Sequence, residues 1–249
     1  MHKKITTLSL ALLTALWSHL PAKASSLEEI KVFASKPSLT MKVRNIDEVD
    51  LPTGGERSYG ASYSIENIPF IPDFRVEYAH LHSSGTKILN TDLKIADLNL
   101  EAGTELHSRI SADNIKFTFY YQPIDRFNYD FANLELGINL LFVDYRMKNT
   151  FSYKGGVSER SESLSTVIPS IHLKLSISPT YYMTLFVRGA LPTGSRMDRE
   201  IEGGVEYYLN PQLYLFGSYG YSYIKANNLN GYDFRTTSKG LNVGVGFIW

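Results

Sequence analysis

The chain of 249 residues has no cysteine. That absence excludes a disulfide framework and thiolate metal sites, and it leaves no residue for a lipoprotein anchor. Long apolar runs are missing too. Beyond the N-terminal segment, the longest lies near Leu140-Leu141-Phe142-Val143 and is cut by Asp144, far short of the ~18 residues a helical span needs. Neither sign of charge dominates, with 25 Lys and Arg against 25 Asp and Glu, so there is no basic footprint for nucleic acid. What the chain does contain is 17 Tyr, 13 Phe and 18 Gly with few helix-favouring stretches, the composition of an all-β protein rich in ring side chains.

Residues 1–24 read as a cleaved signal peptide. Lys3 and Lys4 precede an apolar stretch from Ile5 to Trp17, and Pro21-Ala22-Lys23-Ala24 supplies an Ala-x-Ala site before Ser25. The stretch is too short for an anchor and is bounded by His19 and Pro21. Cleavage would remove three lysines and no acid, moving the net charge to about −3. Residues 25–249 are then expected to form one domain beyond the inner membrane.

The last nine residues alternate strictly. Leu241, Val243, Val245, Phe247 and Trp249 share one face, and Asn242, Gly244, Gly246 and Ile248 the other. A greasy face, a small or polar face and a terminal aromatic are expected of the closing strand of an outer-membrane barrel. Phe247 and Trp249 are the candidate assembly signal. The same alternation marks strands over 59–65, 73–81, 114–121, 132–142, 170–177, 181–189, 200–209 and 213–223. With the C-terminal segment these make nine, and closure of a single-chain barrel requires an even number. A tenth strand is expected within Glu28–Arg44, interrupted by Pro37; eight strands is the smaller alternative. Short connections at 67–72, 122–129, 178–180 and 210–211 alternate with longer polar ones at 45–57, 84–112, 148–163, 190–198 and 225–238. Short turns at one end and long loops at the other predict an antiparallel transmembrane up-and-down β-barrel, with periplasmic turns and extracellular loops, in a Gram-negative outer membrane.

Several segments carry a family resemblance. Pro69-Phe-Ile-Pro72-Asp-Phe-Arg75 resembles a Pro-x-x-Pro periplasmic turn followed by an Arg-bearing strand. Asn114-Ile-Lys-Phe-Thr-Phe-Tyr-Tyr121, Leu134-Glu-Leu-Gly137, Leu191-Pro-Thr-Gly194 and Gly203-Gly204 follow in order. Over residues 57–249 the chain is similar to the proteobacterial outer-membrane β-barrel family named for its Gly-Gly motif. The resemblance implies the barrel and supplies no activity or catalytic residue; the N-terminal strand departs from it.

Alternation points Arg75, Glu77, Lys116, Glu135, His172, Lys174, Arg188, Glu202 and Glu206 into the lumen. Ten strands enclose a narrow space, so these charges are expected to pair across it, as a salt-bridged plug or as the lining of a thin polar pathway for a small solute. The leading expectation is a non-catalytic structural or narrow-pore protein. The alternatives are a module binding an extracellular ligand through its outer loops, or a rim enzyme acting on lipid or protein.

Signatures of catalysis are weak. Outer-membrane lipid hydrolases have a His-x-Ser pair supported by an acid or Asn; His80-Leu81-His82-Ser83 is the nearest match, and His82-Ser83 and His107-Ser108 place neighbours on opposite faces. The omptin proteases have an Asp-x-His pair at the rim, and none occurs here. His80, His82 and His107 are a weak metal set without Cys or paired carboxylates, and nothing calls for a cofactor. Leu51-Pro-Thr-Gly-Gly55 and Leu191-Pro-Thr-Gly194 read as turn-forming segments. Expected partners are outer-membrane lipid and, during biogenesis, periplasmic chaperones and the barrel-assembly machinery.

Overall fold

The computed structural model describes residues 27–44, 48–51, 53–66, 71–95, 98–124, 131–153, 156–229 and 232–249. The signal segment and the Pro69-Phe70 half of the Pro-x-x-Pro turn lie outside them. Thirteen strands follow one another: β1 (Leu27–Arg44), β2 (Glu48–Leu51), β3 (Arg57–Glu66), β4 (Asp73–Ile88), β5 (Leu93–Ile95), β6 (Leu98–Leu100), β7 (Glu105–Ile124), β8 (Ala132–Tyr153), β9 (Gly156–Thr180), β10 (Met183–Pro192), β11 (Met197–Tyr208), β12 (Leu213–Leu229) and β13 (Tyr232–Ile248). Ten of them form a closed ring in the order β1-β3-β4-β7-β8-β9-β10-β11-β12-β13, every neighbouring pair antiparallel, and β13 returns to β1. β5 and β6 pair only with each other among the described residues.

The N-terminal strand is one continuous element. β1 runs beside β13 from Glu29↔Ile248 to Arg44↔Asp233. On its other side it pairs with β3 as far as Ser35↔Ser58 and with β2 from Met41↔Leu51. Pro37 falls in the gap between those ladders, where one side of the strand makes no demand for a donor. The ring therefore holds ten strands, not eight. At the short-turn end the start of β1 meets the end of β13, Glu28 N donating to Trp249 O at 3.1 Å and Trp249 N to Glu28 O at 3.0 Å.

The long polar connections need correction, because most of their residues continue the strands. β4 extends to Ile88, β7 begins at Glu105, β8 and β9 pair as far as Tyr153↔Gly156, and β12 and β13 pair up to Leu229↔Tyr232. The cause is an inversion of the apolar face. Along β8 the outward residues are Leu134, Leu136, Ile138, Leu140 and Phe142, then Asp144, Arg146 and Lys148; the inward ones are Asn133, Glu135 and Asn139, then Leu141, Val143, Tyr145 and Met147. The Leu140–Val143 run marks the crossing, where both faces are apolar. β4, β7, β9 and β12 invert near Leu81, Ala112, Ile168 and Ile224. Beneath the crossing the barrel is greasy outside and polar inside; beyond it the arrangement is that of a soluble β protein, so polar residues that read as loop are the outer face of strands.

Curvature in the lower half depends on missing side chains. A Cβ added to inward-facing Gly246 would lie 2.1 Å from the Tyr214 ring, and one on Gly244 would lie 2.2 Å from Val32 O and 2.6 Å from the Phe216 ring. Gly204 beneath Phe186 and Gly60 beneath Phe33 repeat the pattern, rings covering the bare backbone at a bend. Gly246→Ala and Gly244→Ala should each lower stability by about 1–3 kcal/mol through overpacking. Gly217→Ala, with nothing within 4 Å of the new methyl, should leave it unchanged; urea midpoints of barrels refolded in vesicles check this.

Candidate functional site

The lumen is a stack of layers, each assembled from inward positions on several strands. Next to the short turns, Tyr208, Tyr214 and Ile248 are buried together with Leu27 and Phe216 packed on them. Directly above, Lys31 of β1 reaches Glu206 of β11 at 2.9 Å and Glu29 at 3.4 Å. The Tyr208 hydroxyl donates to the same Glu206 at 3.1 Å, and Tyr214 donates to Glu29.

The next layer centres on Glu135, whose side chain is 1% exposed. Arg75 holds it with both terminal nitrogens, at 3.1 and 3.2 Å, Lys174 Nζ donates at 2.9 Å, and His172 Nε2 lies 3.0 Å away. The second Arg75 nitrogen also donates to the Tyr120 hydroxyl at 3.1 Å, which donates in turn to Glu66 at 2.7 Å. Two forked bonds and an ammonium on one carboxylate are what a buried charge needs to offset its lost hydration.

Arg188 organises the third layer. Its Nη1 donates to Glu77 across the barrel at 2.7 Å, and its Nε donates to Glu202 and lies 3.4 Å from Glu200. Lys116 donates to Glu200, while Ser218 and Asn242 donate to Glu202. Thr118, Asn139, Ser170 and Asp198 continue as a chain of hydrogen bonds of 2.8, 3.3 and 3.2 Å. Above this lies a cavity of about 200 Å³, with Lys116, Asp198, Glu200 and Glu202 in its polar wall and Leu39, Leu81, Leu141 and Ile224 in its apolar one.

The outermost layer is an apolar core. Leu39, Met41, Leu81, Ile110, Leu141, Val143, Tyr145, Ile168, Ile224 and Phe234 belong to one buried cluster that continues through Leu106, Met147, Phe151 and Leu164 toward the long-strand end. Tyr145 on β8 and Phe234 on β13 stand on opposite sides of the ten-strand ring, yet their ring centroids are 4.6 Å apart. At that height side chains from opposite walls meet across the ring.

All nine residues expected inside project inward, and they fall into three layers, Glu206 with Lys31, then Arg75, Glu135, His172 and Lys174, then Glu77, Lys116, Arg188 and Glu202, rather than a row along a pathway. Alternation along β1 and β11 also carried Lys31, Glu29 and Asp198, which the sequence reading missed: the register of β1 was open, and β11 was begun two residues past Asp198. The apolar core is not legible as one unit because Leu106, Ile110, Phe151 and Phe234 fall in the segments expected to be long connections.

His80, His82 and His107, unlike His172, are outward. His80 Nδ1 lies 2.8 Å from Asp113 Oδ1, and His107 Nδ1 lies 3.0 Å from Thr86 Oγ1. Placing them in a loop as a possible metal set is corrected: in the register His107 is six positions from the residue opposite His80, a separation of ~20 Å. No group of three or more metal-ligating side chains occurs among the described residues. The inward neighbours Ser83 and Ser108 bond Gly54 and Asn149 instead of a histidine, and no hydrogen bond joins His82 to Ser111, its cross-strand partner.

No protein-family model matches the chain, and no characterised protein is similar to it in sequence. Among solved structures it is similar in fold to the outer membrane protease OmpT from Escherichia coli, with a TM-score of 0.63 over 93% of this chain and 99% of that one at 8% identity. The translocator domain of the autotransporter NalP from Neisseria meningitidis aligns with a TM-score of 0.47 over 99% of this chain and 95% of that one at 11% identity. At these identities the likeness is one of fold.

Glu135→Ala would strand Arg75, Lys174 and His172 in the lumen. It should cost about 3–5 kcal/mol or prevent folding, as removal of one partner of a buried pair does. Lys148→Ala breaks a pair with Glu159 in which both side chains are about half exposed and should cost less than ~1 kcal/mol. Urea titration of both variants in the same vesicles compares them.

Proposed function

We propose that the protein is an integral outer-membrane β-barrel that neither conducts nor catalyses: a sealed anchor carrying a rigid outer extension. The observation that carries this reading is the contact of Tyr145 and Phe234 across the full width of the ring. It lies above three layers of paired charge, so a solute would have to break the ion pairs and then part an apolar core. The apolar belt beneath the face inversion supports membrane insertion, and the length of β7, β8 and β9 beyond that inversion supports a projecting outer end.

Export through cleavage after Ala24 and assembly through the C-terminal strand belong to the same reading. Trp249 and Phe247 stack outward with centroids 5.7 Å apart at the short-turn end, where an assembly factor could grip the last strand. The surface available to an extracellular partner is the outer face of β4 and β7–β9 above the belt, rather than a set of mobile loops. Opposed orientation of each His-Ser pair supports the non-catalytic side of the proposal.

Single-channel recording of the mature chain in a planar bilayer tests it, once gel mobility with and without boiling has established folding. The wild type should be silent. An Arg188→Met, Glu202→Met variant should lose stability and remain silent while folded, because the Tyr145–Phe234 contact is kept. Discrete, reproducible wild-type openings would sink the sealed-anchor reading.

A further inference from the structure

The outward face changes character abruptly at the top of the apolar belt, and the first polar side chain met there differs around the ring. On β4, β7, β8 and β9 it is His80, Asp113, Asp144 and Ser165. These satisfy one another and their neighbours: Tyr78 donates to Asp113 at 2.9 Å, Arg146 lies 2.7 Å from Asp144 and 3.5 Å from Asp113, and Ser165 donates to Asp144 at 2.8 Å.

On the other side of the barrel the first polar residue is a cation on five successive strands: Arg199 on β11, Lys225 on β12, Lys239 on β13, Lys36 on β1 and Arg57 on β3. Beneath them lie Ile201, Tyr223, Leu241, Ala34 and Tyr59. Their cross-strand neighbours on this face are Tyr223 for Arg199, Tyr221 and Ser38 for Lys239, Leu241 for Lys36 and His82 for Arg57, while Lys225 stands between Met197 and another cation, Arg235. Among the described residues, no carboxylate lies within ion-pair distance of any of the five. All but the half-buried Lys225 are exposed. No Lys or Arg points outward near the short-turn end among the described residues.

From this we infer that the crescent from β11 to β3 is a docking surface for the phosphate groups of a phosphorylated lipid in the outer leaflet. Five cations at one edge of an apolar belt, with tyrosine rings below them, meet a lipid in the order it presents itself, acyl chains against the belt and phosphate above. Like charges without carboxylates repel one another, and an external anion removes that repulsion. The inference rests on the membrane-inserted reading and goes beyond it by naming a ligand class and a sector of the barrel. A Lys or Arg beside an anionic membrane surface is worth about a fivefold change in partitioning, so the five together make a lipid-selective face.

The test uses the full mature barrel in phosphatidylcholine vesicles doped with bisphosphorylated lipid A or with its dephosphorylated form, bound lipid being counted by mass spectrometry after gentle detergent extraction. The variants are Lys36→Gln, Arg57→Gln, Arg199→Gln, Lys225→Gln and Lys239→Gln combined, and as a control Arg109→Gln, Arg146→Gln and Lys148→Gln combined on the opposite wall. The wild type and the control should retain the phosphorylated lipid, the five-site variant at least about tenfold less of it, and none of them the dephosphorylated form. Equal retention by the five-site variant, or equal retention of both lipids, would overturn the proposal. So would direct binding of soluble inositol hexaphosphate to lipid-free barrels as tight as that of the phosphorylated lipid, since the site would then take free phosphate. Heat-dependent gel mobility on every sample separates a barrel that failed to insert from one that inserted and bound no lipid.

Discussion

The ladder between β1 and β13 leaves the sheet without an edge. An amide left unpaired in hydrocarbon costs several kcal/mol, so a sheet that spans a bilayer must close, and closure dictates much else. Ten strands tilted around one axis leave an interior wide enough for side chains and little more. Alternation then delivers half the residues of every strand into that space regardless of their polarity. The lumen is filled because the ring had to close, and what fills it is decided by which residues the outward face could not use.

Two solvents act on the one alternating pattern. Where lipid surrounds the barrel, apolar residues turn out and the interior receives Arg75, Glu135, Arg188, Glu202 and their partners, a set that survives burial because nearly every charge has an opposite one within hydrogen-bond reach. Where water surrounds it, the same alternation turns Leu141, Tyr145 and Phe234 inward. The interior is therefore packed by two different physics stacked end to end, ion pairing below and hydrophobic packing above, with a cavity at the junction where neither fills the space completely.

Much of this was legible in the residues. The strict alternation of Leu241–Trp249, the turns at Asn210-Pro211 and Ser178-Pro179, and the outward Leu and Ile of β8 and β9 disclosed the strands, their faces and the charged interior. Nine inward residues could be named because period-two geometry needs no knowledge of the partner strand. Strand ends were hidden by the inversion, since polar Ser161, Ser163 and Ser165 look like loop until Leu164 is seen facing inward between them and Ile168 beyond them. The register of β1 was illegible because Pro37 reads as a break, and only the staggered ladders to β2 and β3 show why it is none. Pairings such as Arg188 with Glu77, more than a hundred residues apart, follow from ring closure and are invisible to any local pattern.

The inversion of the apolar face also acts as a waterline. If the barrel rode higher, the outward Leu, Ile and Phe of β8 and β9 would meet water; if it sank, the outward Asp144, Arg146 and Lys148 would enter hydrocarbon. Both displacements are resisted, and over only a residue or two of strand. A bilayer of different thickness must then thin or swell to meet the molecule, so this barrel carries a fixed depth gauge for whatever membrane holds it.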